Sequence, residues 1–354
     1  MEGTTEQAPK PHPNAFFAFF WVFVFLLATQ VPGALVVFFL LLWSAWNSGD
    51  FSEYLSRVQD DSFQQSAEYA KILAPGLAVS QLLTILFGVL VLRLVAGKDW
   101  SRRIALHLPA WPQMLMAMGF FPGLVFLGEG IDRLVRPYLP QIIPMENAIA
   151  GFSHWPWWLG VLIIGFGPGI GEELWCRGFL GRGLLANHGT AKGVLLTSLL
   201  FGFMHIEPRQ IAYATILGIL LHLSYIWTRS LLVPIFLHVM NNSLSMLQFA
   251  KDGPEMPFLV SMQSASVDSP VLFFGGLLGL LVLCGLALFL CRPSIIAIKD
   301  GADPWKVPFA TVSLPPKESG SSLQYPFPGT ASWLSFIMGI ILFVVCLCFS
   351  IPVH

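Results

Sequence analysis

The sequence predicts an all-α, polytopic transmembrane helix bundle of about 8–9 spans, and three observations carry that expectation. The 354 residues are 55% hydrophobic and only 11% charged, with a mean hydropathy of +0.70. A soluble domain carries roughly 25% charged residues. The apolar runs approach or exceed the ~20 residues that a helix needs to cross a bilayer, and they lack the short alternating pattern of barrel strands. Finally, Lys and Arg gather in alternate connecting segments, as the positive-inside rule expects.

Nine runs qualify as spans in order along the chain. They cover about Ala15–Trp43, Ile72–Val95, Trp111–Leu134, Trp157–Leu185, Ala191–His205, Arg209–Trp227, Leu231–Phe249, Val271–Cys291 and Trp333–Ile351. Val31-Pro32-Gly33 predicts a kink in the first. That run is too long for a signal-peptide core and has no small-residue cleavage site, so it reads as a retained span.

The chain divides into a cytoplasmic tail (1–14), N-terminal membrane helices (15–156), a core (157–249), an eighth span with its preceding loop (250–292), a linker (293–330) and a last span (331–354). The acidic loop from Asn47 to Lys71 has room for an interfacial helix. The Pro, Gly and Ser of Pro293–Thr330 predict an extended, poorly ordered connection.

Lys98, Arg102, Arg103, Arg182, Lys192, Arg229, Arg292, Lys299, Lys306 and Lys317 fall in loops of one side if the count is right. Asp50, Glu53, Asp60, Asp61, Glu68, Asp252, Glu255 and Asp268 fall on the other, with Arg133 and Arg136 as exceptions. The N-terminus is then cytoplasmic and the C-terminus outside. A net charge of −1 gives no reason to expect nucleic-acid binding. Cys176, Cys284, Cys291, Cys346 and Cys348 lie in or beside membrane helices without metal-knuckle spacing, which predicts packing roles.

Within the apolar core three polar islands stand out. Gly171-Glu172-Glu173-Leu174-Trp175-Cys176-Arg177 places three charges at membrane depth, where they are expensive. Phe201-Gly-Phe-Met-His205 and His238-Val-Met-Asn241-Asn242 follow. Glu173 and Arg177 are i and i+4, the favourable order for an ion pair. Glu172 points elsewhere on the helix and has no intrahelical cation, which leaves it available as general base or acid.

The turn near Asn187-His188-Gly189 lies at a similar separation from Glu172 and from His205. At 1.5 Å per residue both then sit roughly 22–26 Å from it, at one depth of an antiparallel hairpin. His238 and Asn242 share a face of the seventh span and can donate hydrogen bonds to an oxyanion. Each island also has a plainer reading. A buried Glu–Arg pair serves as helix glue, a membrane histidine bonds a neighbouring helix, and Glu129, Asp132 and Gln81 are compatible with a proton-relaying transporter.

The ordered triple Glu-Glu-x-x-x-Arg, Phe-x-x-x-His and His-x-x-x-Asn, each on its own helix, resembles the CPBP intramembrane proteases. That family includes the type II CAAX prenyl endopeptidases and the bacteriocin-processing and immunity (Abi) proteins. The resemblance covers about Trp157 to Phe249. It implies an endopeptidase in which Glu172 and His205 activate water, while His238 and Asn242 bind the oxyanion. Glu173, Arg177 and, within its motif, Phe201 would hold the geometry of the site.

The resemblance favours a metal-free mechanism, although Glu172, His205 and His238 are chemically acceptable zinc ligands. It implies a membrane-associated protein or peptide substrate, the lipid bilayer as surroundings, and a multi-pass location in a bacterial inner membrane or plasma membrane. It also favours access from the cytoplasmic face. The depth estimate is reconciled with that by a deep funnel rimmed by Arg182, Lys192 and Arg229. A non-catalytic membrane chaperone or immunity protein on the same fold is the alternative. The linker and the last span lie outside the family's common architecture.

Overall fold

The computed structural model describes residues 13–142, 145–292, 294–295, 323–324 and 327–351. Its principal helices are α1 (Ala15–Asn47), α2 (Ala67–Ala96), α3 (Trp111–Met118), α4 (Phe121–Val135), α5 (Trp157–His188) and α6 (Thr190–Phe203). They continue with α7 (Pro208–Thr228), α8 (Leu232–Phe249), α9 (Pro257–Asp268), α10 (Pro270–Leu290) and α11 (Thr330–Ser350). The chain is an integral, multi-pass membrane protein, and all nine expected runs are helical.

Among the described residues, seven stretches are long and apolar enough to cross a membrane. The two that fall short teach more than the seven that do not. Helix α6 has 14 residues, so its length is roughly 21 Å against a hydrocarbon core of about 30 Å. Helix α8 has 18 residues, but His238, Asn241, Asn242, Ser243 and Ser245 dilute its apolar character.

Other expectations shift in detail. The third run is two helices, parted at Gly119-Phe120, with Pro122 in the first turn of α4. Helix α1 continues through Pro32, because neighbouring helix surface and local adjustment make an interior proline tolerable in a membrane helix. The acidic loop holds two short helices, Phe51–Arg57, capped by Asp50, and Asp61–Gln64, which pack together through Tyr54 and Phe63. Of the expected linker, Ser294–Ile295 pairs antiparallel with Leu323–Gln324, so its two ends lie side by side. Residues 296–322, on which the expectation of poor order mostly rests, lie outside the described residues, as do 1–12 of the N-terminal tail.

Two sets of cross-links define the ends of the bundle. At one end Leu231 N donates to Ala105 O at 2.9 Å, Tyr225 Oη to Ile104 O at 2.9 Å and Gln113 Nε2 to Cys291 O at 3.1 Å. Lys98, Arg102, Arg103, Lys192, Arg229 and Arg292 belong to this basic end. At the opposite, acidic end Trp157 N donates to Asp252 Oδ1 at 3.1 Å, Ile142 N to Glu207 Oε2 at 3.0 Å and Trp155 Nε1 to Ala70 O at 2.7 Å.

The exceptions on the acidic side are paired cations. Arg133 meets Glu129 and Arg136 meets Asp132. Between the ends, Trp175 is fully buried and stacks on Phe25 at 4.6 Å with a 15° interplanar angle, which ties α5 to α1.

Candidate active site

Helix α5 brings the two glutamates into the bundle through a run of small residues, Gly167-Pro168-Gly169-Ile170-Gly171. Two of the glycines have measurable reasons. A Cβ on Gly169 would lie 2.5 Å from Val239 Cγ2 and 2.8 Å from the Val239 nitrogen, so α5 and α8 touch backbone to backbone. A Cβ on Gly171 would lie 2.4 Å from Thr84 Cγ2 on α2. Small residues at helix crossings are how membrane helices approach closely without a hydrophobic drive. Wide π-type turns occupy Val161–Phe166 and Leu174–Leu180, on either side of the glutamates. Such turns are frequent at functional sites because they re-aim side chains within a helix.

Glu173 and Arg177 are both fully buried, and Arg177 Nη1 donates to Glu173 Oε1 at 2.6 Å. The same oxygen accepts from His238 Nδ1 at 2.9 Å. Glu173 therefore does more than neutralise Arg177: it also fixes the ring of His238. The remaining donors of Arg177 are used in part. Nη2 bonds Gly218 O at 2.9 Å, and the guanidinium sits 4.6 Å above the Phe201 ring.

Phe201, fully buried, is the hub of this arrangement. Its ring meets His205 edge-on at 5.2 Å and His238 edge-on at 5.8 Å.

His205 lies just past the end of α6, and its Nδ1 is 3.0 Å from Phe201 O. A carbonyl only accepts, so Nδ1 carries the proton and the neutral ring keeps its lone pair on Nε2. The next residue, Ile206, has φ +64°. For a β-branched side chain that is a real outlier, and such strain costs about 1–3 kcal/mol. The turn is held by Glu207, whose nitrogen donates to His205 O at 2.6 Å and whose carboxylate accepts from Ile142 N.

These residues meet at a cavity of about 280 Å³. Glu172, His205, His238 and Asn242 all line it, from α5, the end of α6, and α8. Glu172 is half-buried, and its Oε2 is buried with no hydrogen-bond partner among the described residues. Asn242 Oδ1 accepts from Asn241 Nδ2 at 3.2 Å, which leaves the Asn242 amide N–H groups as donors. Among the described residues no three His, Cys, Asp or Glu side chains are placed to hold a metal ion.

Sequence reasoning missed part of the lining. Tyr213 and Gln210 from α7 and Ser245 from α8 also face the cavity. Asn241 Nδ2 donates to Tyr213 Oη at 3.0 Å, so α7 and α8 are bonded at the cavity wall. Ser245 lies seven residues after His238 and three after Asn242, a spacing that marks the same helix face. Tyr213 has no such motif around it.

The expected funnel rim is also corrected. Arg182 is buried and Lys192 and Arg229 belong to the basic end, and none of the three lines the cavity. Lys192 is kept away by the length of α6, since it lies at the start of that helix and His205 past its other end.

Residues 154–244 match the family model of the type II CAAX prenyl endopeptidase Rce1-like proteins. No curated protein and no solved structure matches the chain. The family is one of membrane-embedded proteases acting on peptide substrates. The matched segment contains every residue of the three polar islands, so over these residues the chain is similar to the type II CAAX prenyl endopeptidase Rce1-like proteins.

Proposed function

We propose that the protein is an intramembrane endopeptidase of the glutamate type, with Glu172 as the general base. The observation that supports this reading best is the cavity lined at once by Glu172, His205, His238 and Asn242. Glu172 takes a proton from a water that attacks the substrate carbonyl, and later returns it to the leaving amine. His205, with Nδ1 committed to Phe201 O, offers Nε2 to orient that water. The Asn242 amide donates to the oxygen that gains charge in the tetrahedral intermediate. An imidazolium at His238 would be paired with Glu173 and would present Nε2–H to the same oxygen. Glu173, Arg177 and Phe201 position these groups without touching the substrate.

No step in this scheme needs a metal. Its test is cleavage of a membrane-protein peptide by purified protein, with metal content measured on the same sample. Cleavage that persists in a strong chelator on metal-free protein supports the scheme. Stoichiometric zinc, with activity lost on chelation and restored by zinc alone, replaces it with a metal-activated water. Proteomics of membrane fractions from wild type and Glu172→Ala identifies the substrate.

A further inference from the structure

We infer that a groove between α4 and α10 binds one membrane phospholipid, with an acyl chain along the groove and the phosphate on Arg133. The site is separate from the candidate active site and does not depend on the endopeptidase reading.

The groove has a volume of about 450 Å³. Its α4 wall includes one stripe, Gly123, Leu127, Gly130 and Leu134, at i, i+4, i+7 and i+11. Helix α10 runs antiparallel to that stripe. A Cβ on Gly123 would lie 2.5 Å from Leu281 Cδ2, and one on Gly130 would lie 2.8 Å from Phe274 Cε1. The glycines let the two helices close at these levels, while Leu134 and Leu278 stand exposed along the edge. Both helices belong to stretches that are long and apolar enough to span the membrane, so this edge meets hydrocarbon.

The length of the groove fits one leaflet. From Pro270 to Leu281 a helix rises roughly 16 Å. The hydrocarbon of a leaflet, half of the bilayer core, is about 15 Å deep. One end of the groove, at Arg133 and Pro270, lies where the two spans reach the membrane surface, at Val135 and Pro270. The other end, at Gly123 and Leu281, lies near the middle of α10. The groove thus follows the path of an acyl chain from the surface to the midplane.

The charge sits at the matching end. Among the described residues Arg133 is the one charged group in the lining. Its Nη1 donates to Ser266 O at 2.6 Å, its Nη2 to Glu129 and to Ser266 Oγ, and its guanidinium lies 5.6 Å from the Phe274 ring centroid. The side chain is therefore held in place before any ligand arrives, yet it is 36% exposed. The five N–H donors of a guanidinium exceed these contacts. A lipid phosphate at the membrane surface meets there a pre-positioned partner of opposite charge. On its other face α4 meets α7, where Tyr213 Oη donates to Leu124 O at 3.5 Å, and it is Tyr213 that lines the catalytic cavity. The two linings share no residue.

The test is native mass spectrometry of the delipidated full-length protein in detergent. It is titrated with dioleoylphosphatidylglycerol and, separately, with dioleoylglycerol, which has the same chains and no phosphate. One phospholipid should bind, and dioleoylglycerol should bind at least ~10-fold more weakly, the scale of one charge-assisted hydrogen bond. Arg133→Gln and Leu278→Trp, which fills the groove, should each weaken phospholipid binding by a similar factor. Arg133→Lys keeps the charge and should bind more tightly than Arg133→Gln.

Arg133→Gln also leaves Glu129 without its cation, so the double variant Glu129→Gln with Arg133→Gln is measured beside it, with melting temperatures to show that each protein is folded. The double variant should show the same loss of binding. Equal affinity for the two lipids overturns the proposal, as does unchanged phospholipid binding in Leu278→Trp and the double variant. A stable dimer in the same spectra that Leu278→Trp dissociates also overturns it, because a second copy of the chain then fills the groove.

Discussion

Helices α1 and α5 are of similar length and obey opposite rules. In α1 only 17% of the apolar window is buried within the protein, and Phe39 and Trp43 are more than half exposed. In α5 the figure is 61%, yet α5 is the less hydropathic of the two. In water the most apolar helix would be the most buried. In lipid the order reverses, because tails solvate apolar side chains as well as a protein core does, while charges must be enclosed by other helices. The difference teaches where to look for chemistry in such a chain: in the span that is least suited to lipid.

The sharpest way to break this contrast is to remove Glu172, the α5 carboxylate that has no ion-pair partner among the described residues. Glu172→Gln keeps size and loses the base, so turnover should fall at least ~10²-fold while the purified protein keeps its melting temperature. Peptide cleavage at the wild-type rate would show that α5 holds its charges for structure alone.

Next in size is the buried pair. Arg177→Leu strands Glu173 beside His238, and breaking one partner of a buried ion pair costs about 3–5 kcal/mol. Thermal unfolding in detergent should show a large loss. The double variant Glu173→Gln with Arg177→Leu should recover part of the stability, though not activity, because the neutral amide keeps an acceptor for His238 Nδ1 but no longer supplies the negative charge beside its ring.

A third test concerns the helix crossing. Gly169→Ala places a methyl within contact distance of the Val239 backbone, and overpacking of this kind costs about 1–3 kcal/mol. Activity should fall more than stability does, since α8 carries His238 and Asn242 away with it. The smallest effect belongs to α1. Phe39→Ala changes a side chain that faces lipid, and surface positions of this sort stay within about 0.5 kcal/mol. A large loss there would mean that α1 packs against another protein.

Much of this was legible in the sequence. The helices could be counted because apolar length is the signal that membranes impose. The Glu173–Arg177 pair could be placed because i,i+4 spacing fixes it within one helix. The common depth of Glu172 and His205 followed from counting residues either side of a turn, and both line one cavity.

What could not be read was contact between helices. That Glu173 bonds His238 depends on how closely α5 and α8 approach, which is set by glycines whose role is visible only with a neighbour in place. That Tyr213 reaches Asn241 depends on the crossing of α7 and α8. Which charged residues border the cavity could not be read for a related reason. Arg182, ten residues after Glu172 and so about 15 Å further along the helix, is buried and does not line the cavity.

The short α6 and the polar α8 have a consequence for how the protein is made. Neither is long or apolar enough to be a membrane span by its own composition, yet they carry His205, His238 and Asn242. A segment of that kind is poorly retained by the insertion machinery when it emerges alone. Its entry into the bilayer must be completed by the helices on either side, α5 and α7 for the first, α7 and α10 for the second. Assembly of the proposed active site and integration of its helices are then one event, and a chain that fails to pair them exposes polar residues to lipid.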